Sequence, residues 1–280
     1  MNGGIGWPKK ESFIIGYAPK RLEIVEDDPV FDSSDELMLS FRTVEGNLYS
    51  WPQRKRGGER NLEVAVQMSL LEKMANVAFW DGDMINLEKM FAQPLKRSDI
   101  EFWSELFLEQ LEGKDIRAVL SVPTRGIIPA YEVCRRLPGA VYFFSPSKED
   151  SIPKVHQHTN VIVGKTFSHR AGAMKEIYLD REGTSLVKGK NVAFIDDILF
   201  NGGTAIACYG MCKEAGANLV FMGAYIDKGY GALEKIKEAT GVEPYCIIEI
   251  DKHDIKQEDG KTLVHFHKPR AYMWMSRFSE

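Results

Sequence analysis

The chain has 280 residues, 44% hydrophobic and 27% charged, the composition of a globular protein able to bury a core. Its net charge of −4 comes from mixed signs and argues against a nucleic acid held by bulk electrostatics. No apolar run approaches the roughly 20 residues of a membrane-spanning helix, and residues 1–10 lack a charged-then-apolar leader pattern. A cytoplasmic protein without membrane or nucleic-acid partners is expected. Cys134, Cys208, Cys212 and Cys246 include no C-x-x-C pair, so they are read as small packing residues.

In chain order, residues 12–17 and 37–41 are short strand-like runs. Residues 61–76 place Leu62, Val66, Leu70 and Met74 at helical spacing. Trp80-Asp81-Gly82-Asp83 reads as a turn, and residues 84–91 as a short helix. Residues 98–111 read as a helix opened by a Ser98/Glu101 capping box, with an Ile100, Trp103, Phe107, Leu111 stripe. From about residue 115 short β-rich runs alternate with helices. The strands are 116–122, 140–145, 160–164, 175–180, 191–195, 219–226 and 245–250. The helices are 127–137, 203–215 and 230–240. Such alternation implies an α/β fold, a mostly parallel sheet with helices on both faces. The expected division is a mixed α/β N-terminal extension over 1–112, a core over 113–250 and a tail over 251–280.

Residues 191–204 are the most informative. A buried strand, Val192-Ala193-Phe194-Ile195, runs into Asp196-Asp197; then Asn201-Gly202-Gly203-Thr204 opens a helix. Glycines at a helix start let backbone N–H groups approach a phosphate, and the helix dipole favours the anion. Thr204 and Asn201 add side-chain hydrogen bonds, and paired carboxylates can accept from vicinal sugar hydroxyls. The lysine of a P-loop is missing, and the pattern is not G-x-G-x-x-G.

This stretch resembles the PRPP-binding signature of type I phosphoribosyltransferases, in the adenine, xanthine and purine-repressor branch. The resemblance covers about residues 115–250. It implies that Asp196 and Asp197 hold the ribose hydroxyls of PRPP and that residues 198–205, Ala205 included, wrap its 5-phosphate. It implies Mg²⁺ as cofactor, held by the substrate with water-mediated help from the acidic pair. Upstream, Pro123-Thr124-Arg125-Gly126 follows a strand as the family's pyrophosphate loop does, and Thr124-Arg125-Gly126 is similar to its Ser-Arg-Gly form. Arg125 would offer a permanently charged fork to phosphate oxygens. Between them the family places a mobile hairpin; Lys165, His169 and Arg170 are its basic candidates here. The adenine-type Glu-Tyr-Gly is absent from it, so adenine is not assigned as the acceptor. Asp227-Lys228-Gly229-Tyr230 corresponds to a turn near the purine ring, which gives Tyr230 a stacking role. Residues 1–112 would be a hood longer than the adenine-type one.

The expected function is transfer of a 5-phosphoribosyl group from PRPP to a base nitrogen, with Arg125, Asp196 and Asp197 at the reacting centre of a homodimeric enzyme. Two alternatives stand beside it. One is a diphosphokinase acting on ribose 5-phosphate or a derivative such as ADP-ribose, although its usual Lys-Arg-Arg segment is missing. The other is a non-catalytic PRPP-binding regulator. Residues 1–110 hold 13 Lys/Arg against 19 Asp/Glu, the wrong sign for a DNA-binding arm.

Overall fold

The structure, a computed structural model, describes residues 22–23, 37–43, 48–53, 60–77, 79–81, 84–87, 90–91, 95–144, 161–168, 173–258, 261–268 and 271–276. The strand expected at 12–17 lies outside them.

Five parallel strands form the centre: β6 (Ile116–Ser121), β7 (Val141–Phe144), β10 (Asn191–Leu199), β11 (Asn218–Asp227) and the first part of β12 (Tyr245–Glu258). Their spatial order is β12-β11-β10-β6-β7. Strand order therefore reverses between β6 and β10, and in open α/β sheets ligands bind beyond the carboxyl ends at such a switch point. In β10 both faces are apolar, as in a strand covered by helices on both sides. Val192 and Phe194 pack with Leu120, Met211, Cys212 and Ile236 on one side; Ala193 and Ile195 pack with Leu70, Phe107, Tyr225 and Ile247 on the other.

The sheet does not stop at the core. β12 runs on to Glu258 and turns antiparallel into β13 (Lys261–Lys268) and β14 (Ala271–Ser276). β14 then meets β3 (Leu48–Gln53), which pairs with β2 (Leu37–Thr43) and so with β1 (Leu22–Glu23). Residues beyond 250, expected as a tail, thus form strands that join the N-terminal ones.

The helix over Arg60–Val77 (α1) lies against β12, where Gln67 donates to the Ile247 carbonyl at 3.0 Å. The helix over Arg97–Leu111 (α2) starts one residue before the expected cap. Lys96 takes the N-cap position without a side-chain bond, and Glu101 pairs with Arg97 at 2.7 Å, so the Ser98/Glu101 box does not form. The helix expected over 84–91 is corrected too: Met84–Asn86 (β5) is a strand paired with Phe79–Asp81 (β4). The Gly82-Asp83 pair between them favours a hairpin over a helix start. The remaining core helices are α3 (Ile127–Arg136), α4 (Arg181–Val187), α5 (Gly203–Glu214) and α6 (Ala232–Thr240). Among them α4 had no apolar stripe to betray it; Asp180 caps it by accepting from the Gly183 amide at 2.8 Å. The hairpin β8 (Ile162–Ser168) and β9 (Ala173–Leu179) packs on α5.

An aromatic cluster fastens α2 to the core sheet. Phe107 is fully buried and stacks on Tyr225 at 5.3 Å, with its edges toward Phe221 at 6.3 Å and Tyr245 at 6.2 Å. Trp103 meets Tyr225 edge-on at 5.6 Å, and Ser104 shares a buried hydrogen bond with the Tyr225 hydroxyl at 3.0 Å. Phe107→Ala should therefore cost about 3–5 kcal/mol of stability. Tyr131→Ala, at a site 57% exposed, should change it by no more than about 0.5 kcal/mol. Urea midpoints of the two variants check this.

Candidate active site

Asp196 and Asp197 lie within β10, not in the turn after it, because the strand continues to Leu199. The loop following β6 faces them. Arg125 Nε stands 3.1 Å from Asp197 Oδ2, and Asp197 is 5% exposed. Asp196 folds its Oδ1 back to accept from the Asp197 amide at 2.9 Å. Burial pushes the Asp196 carboxyl well above its ordinary range; the neighbouring Asp197 charge adds to the rise, and Lys175 opposes it.

Gly126 explains how the loop comes so close to β10. A Cβ there would collide with Asp196 Oδ1 and stand 2.7 Å from Ser121 Oγ. Any side chain at this position would push the loop off the acidic pair. Arg125 is half-buried and Thr124 exposed. The Pro123–Thr124 peptide bond is cis.

Beyond the acidic pair, residues 200–202 lead into α5. Gly202 adopts φ +76°, where a side chain would also press on Ile236 and the Ala232 carbonyl. Asn201 Oδ1 accepts from the Gly203 amide at 3.2 Å. Asn201, Gly203 and Thr204 are half-buried at the mouth of the helix, and Ala205 is buried beneath them. This is an oriented set of amides at a helix N-terminus, suited to a phosphate.

The structure brings Thr124, Arg125, Gly126, Asp196, Asp197 and residues 201–205 together at the switch point. It does not bring Lys165 there. Lys165 sits on the outer face of β8 in an ion pair with Glu176 at 3.1 Å. His169 and Arg170 lie outside the described residues. Tyr230 is close by, but its ring stacks on Phe200 at 4.3 Å, and the Lys252 ammonium lies 4.2 Å from its centroid. Lys228 places its ammonium 5.6 Å from the Phe200 ring.

Sequence reading placed Asp227 and Lys228 in the turn and Phe200 in the glycine loop without giving any of them a role, and it did not name Lys252. Asp227 ends β11 between Leu199 of β10 and Glu249 of β12. It is 5% exposed, and its Oδ1 has no hydrogen-bond partner among the described residues. Burial pushes its carboxyl up to about 7; Glu249 and Glu234 add repulsion, and the Gly229 amide opposes the shift. The signal was present as a charged residue ending an otherwise apolar strand.

Two carboxylates, a guanidinium and a helix mouth in this order can hold a phosphorylated sugar between its phosphate and a second anionic group. The phosphoribosyl transferase domain family matches residues 88–253 of the chain. Xanthine phosphoribosyltransferase of Clostridioides difficile is 28% identical over 166 residues, 56% of this chain and 83% of that protein. Hypoxanthine/guanine phosphoribosyltransferase of Methanococcus voltae is 34% identical over 103 residues, 37% of this chain and 46% of that one. In fold, the chain is similar to adenine phosphoribosyltransferase of Trypanosoma brucei, solved with AMP, pyrophosphate and ribose-5-phosphate. The TM-score is 0.51 at 16% identity, over 64% of this chain and 79% of that one. The Saccharomyces cerevisiae adenine enzyme gives 0.51 at 14% identity, over 66% and 99%. The chain belongs to the phosphoribosyl transferase domain family and is an enzyme of the phosphoribosyltransferase class.

Proposed function

We propose that the protein transfers the 5-phosphoribosyl group of PRPP to a ring nitrogen of a 6-oxopurine, releasing pyrophosphate. The observation that carries the reading is the Arg125–Asp197 contact of 3.1 Å across the β6/β10 switch point, with the amides of residues 201–204 at the next loop. PRPP needs an anion site at each end and hydroxyl acceptors between them, and those groups occur here in that order.

In the reaction the bond from ribose C1 to the pyrophosphate oxygen breaks, its electron pair leaving with pyrophosphate. A bond from the purine nitrogen to C1 forms, and that nitrogen gives up its proton to solvent. Arg125 faces the charge that grows on the leaving group, the kind of preorganised stabilisation that needs no nucleophile. Asp196 and Asp197 accept from the ribose hydroxyls and fix C1 between the leaving group and the base.

The residues also fit a Mg²⁺ ion. Two carboxylates sit side by side, and burial, followed by the Asp197 charge, raises the proton affinity of Asp196, which favours a nearby cation. Among the described residues no cluster of three or more His, Cys, Asp or Glu could hold a metal by itself. The acidic pair would therefore hold the ion through water while the substrate supplies further oxygens, as suits a cation reluctant to dehydrate. When bound, Mg²⁺ neutralises charge on the pyrophosphate.

The choice of a 6-oxopurine rests on the acceptor side. Lys228 and Lys252 flank the Phe200–Tyr230 stack with two ammonium groups. Ammonium groups are donors only, so they favour ring carbonyls or an anionic purine over the amino group of adenine. The relatives named for xanthine and for hypoxanthine/guanine agree with this choice. The proposal includes a homodimer and a cytoplasmic setting, as the family resemblance implies.

The test is pyrophosphate release from PRPP and Mg²⁺ with xanthine, hypoxanthine, guanine and adenine in turn. Turnover with a 6-oxopurine is expected, and no release with any base would overturn the reading. For Arg125→Ala, calorimetry should show PRPP and pyrophosphate weakened about tenfold or more, with ribose 5-phosphate little changed. Equal weakening of all three ligands would remove Arg125 from the leaving-group site. A second expectation concerns pH. The Asp227 carboxyl rises in the folded state from 3.8 to about 7. Its contribution to stability is then present in full below 3.8 and lost as pH rises through about 7. Urea unfolding of wild type and Asp227→Asn should show the variant gaining on wild type between those pH values. A constant difference across that range would contradict the assigned shift.

A further inference from the structure

The hairpin β8–β9 turns an inner face to α5 and an outer face to solvent. Ile162, Gly164 and Thr166 are buried while Val163, Lys165 and Phe167 are exposed, the period of two of a half-covered strand. Gly164 lies so close to the helix that a Cβ would stand 2.8 Å from Met211 Sδ. Thr166 is the polar exception on this inner face. It is 5% exposed, and its hydroxyl has no hydrogen-bond partner among the described residues. A valine would fill the same space without an unpaired polar atom, so a threonine here is costly unless something else completes it.

What lies next to that hydroxyl is the phosphate loop. Thr166 Oγ1 is 2.6 Å from where a Cβ on Gly203 would stand, and that point is 3.4 Å from Asn201 Oδ1. The absence of a side chain at Gly203, the first residue of α5, is what admits the hydroxyl to the mouth of the helix. Lys175 is the cross-strand partner of Thr166, and its charge acts on Asp196. The inner face at this level is therefore aimed at the space between the helix mouth and the acidic pair.

We propose that Thr166 is a phosphate ligand supplied by the hairpin stem: its hydroxyl donates to an oxygen of the sugar phosphate held at residues 201–204. The cradle then has two walls, the amides at the start of α5 and a hydroxyl from β8. The inference rests on reading residues 201–204 as a sugar-phosphate site, and it concerns the 5-phosphate end, away from Arg125.

Thr166→Val keeps the shape and removes the hydroxyl; Thr166→Ser keeps the hydroxyl and removes a methyl group. Both are titrated calorimetrically with ribose 5-phosphate, PRPP and pyrophosphate, with thermal unfolding recorded without ligand. Thr166→Val is expected to weaken ribose 5-phosphate and PRPP about tenfold, as for a hydrogen bond to a charged group. It should leave pyrophosphate unchanged and leave the unfolding temperature equal or higher. Thr166→Ser should retain ribose 5-phosphate affinity. Wild-type affinity of Thr166→Val for ribose 5-phosphate, or no binding of that ligand by wild type, overturns the proposal. So does an equal loss of pyrophosphate binding, which would mark a structural effect. If wild type binds ribose 5-phosphate through Thr166 yet releases no pyrophosphate with any base, the proposed reaction falls and the role of Thr166 stands.

Discussion

Two neighbouring carboxylates at the end of a buried strand repel each other and lose hydration together. Much of the centre is arranged around that fact. Burying a carboxylate is tolerated only with a counter-charge, a hydrogen-bond donor or a proton. Arg125 faces Asp197, the Asp197 amide turns to Asp196, and Lys175 adds positive charge from the hairpin. Gly126 has to be small so that the loop carrying Arg125 can lie against the pair. The two strands must also be adjacent and parallel, so that the loop after β6 and the end of β10 open on the same side. The strand order is thus part of the electrostatics: moving β6 one place away would leave the carboxylates without their guanidinium.

The sheet that carries this centre is stiffened from one side by aromatic packing. Tyr225 lies two residues before Asp227, and its ring meets Phe91, Trp103 and Phe107. Residues upstream of the core thereby pack directly behind the strand that ends beside the site. Lys268 lies over Tyr245 at 4.1 Å and pairs with Glu63 of α1 at 3.2 Å, so the C-terminal strands and the first helix are tied to the same face. Such contacts hold strand ends in place, and the ends are where the site residues sit.

The core was legible because its strands are apolar on both faces and its helices follow at short intervals; period and punctuation agreed. The acidic pair and the glycine loop were legible for a local reason, since consecutive residues make them. Arg125 was legible through the strand, loop and helix around Thr124-Arg125-Gly126 and their likeness to the Ser-Arg-Gly form. The rest depended on contacts that no local pattern encodes. Phe200 reads as one more apolar residue until Tyr230 is found against it, 30 positions later. Lys252 looked like part of a polar tail because the apolar run ends at Ile250, yet pairing with β13 continues the strand. Thr166 carries no signal in sequence at all; its interest comes from a glycine on another element. In the hairpin at 79–86 the turn was legible, but the second strand was misread as helix because a few apolar residues fit either period.

The long β12 has a consequence for the charge that stands beside Tyr230. One strand begins in the parallel core at Tyr245, passes Gly229, and ends in the antiparallel layer at Glu258. Its side chains alternate, so Asp251 turns toward His265 and His267 while Lys252 reaches Tyr230. Inserting a single residue upstream in this strand would exchange those faces, putting the Asp251 carboxylate where the Lys252 ammonium now stands. The charge beside the Tyr230 ring is in that sense a matter of parity along one strand. It can be inverted by a change of length, without altering Arg125, the acidic pair or the glycine loop.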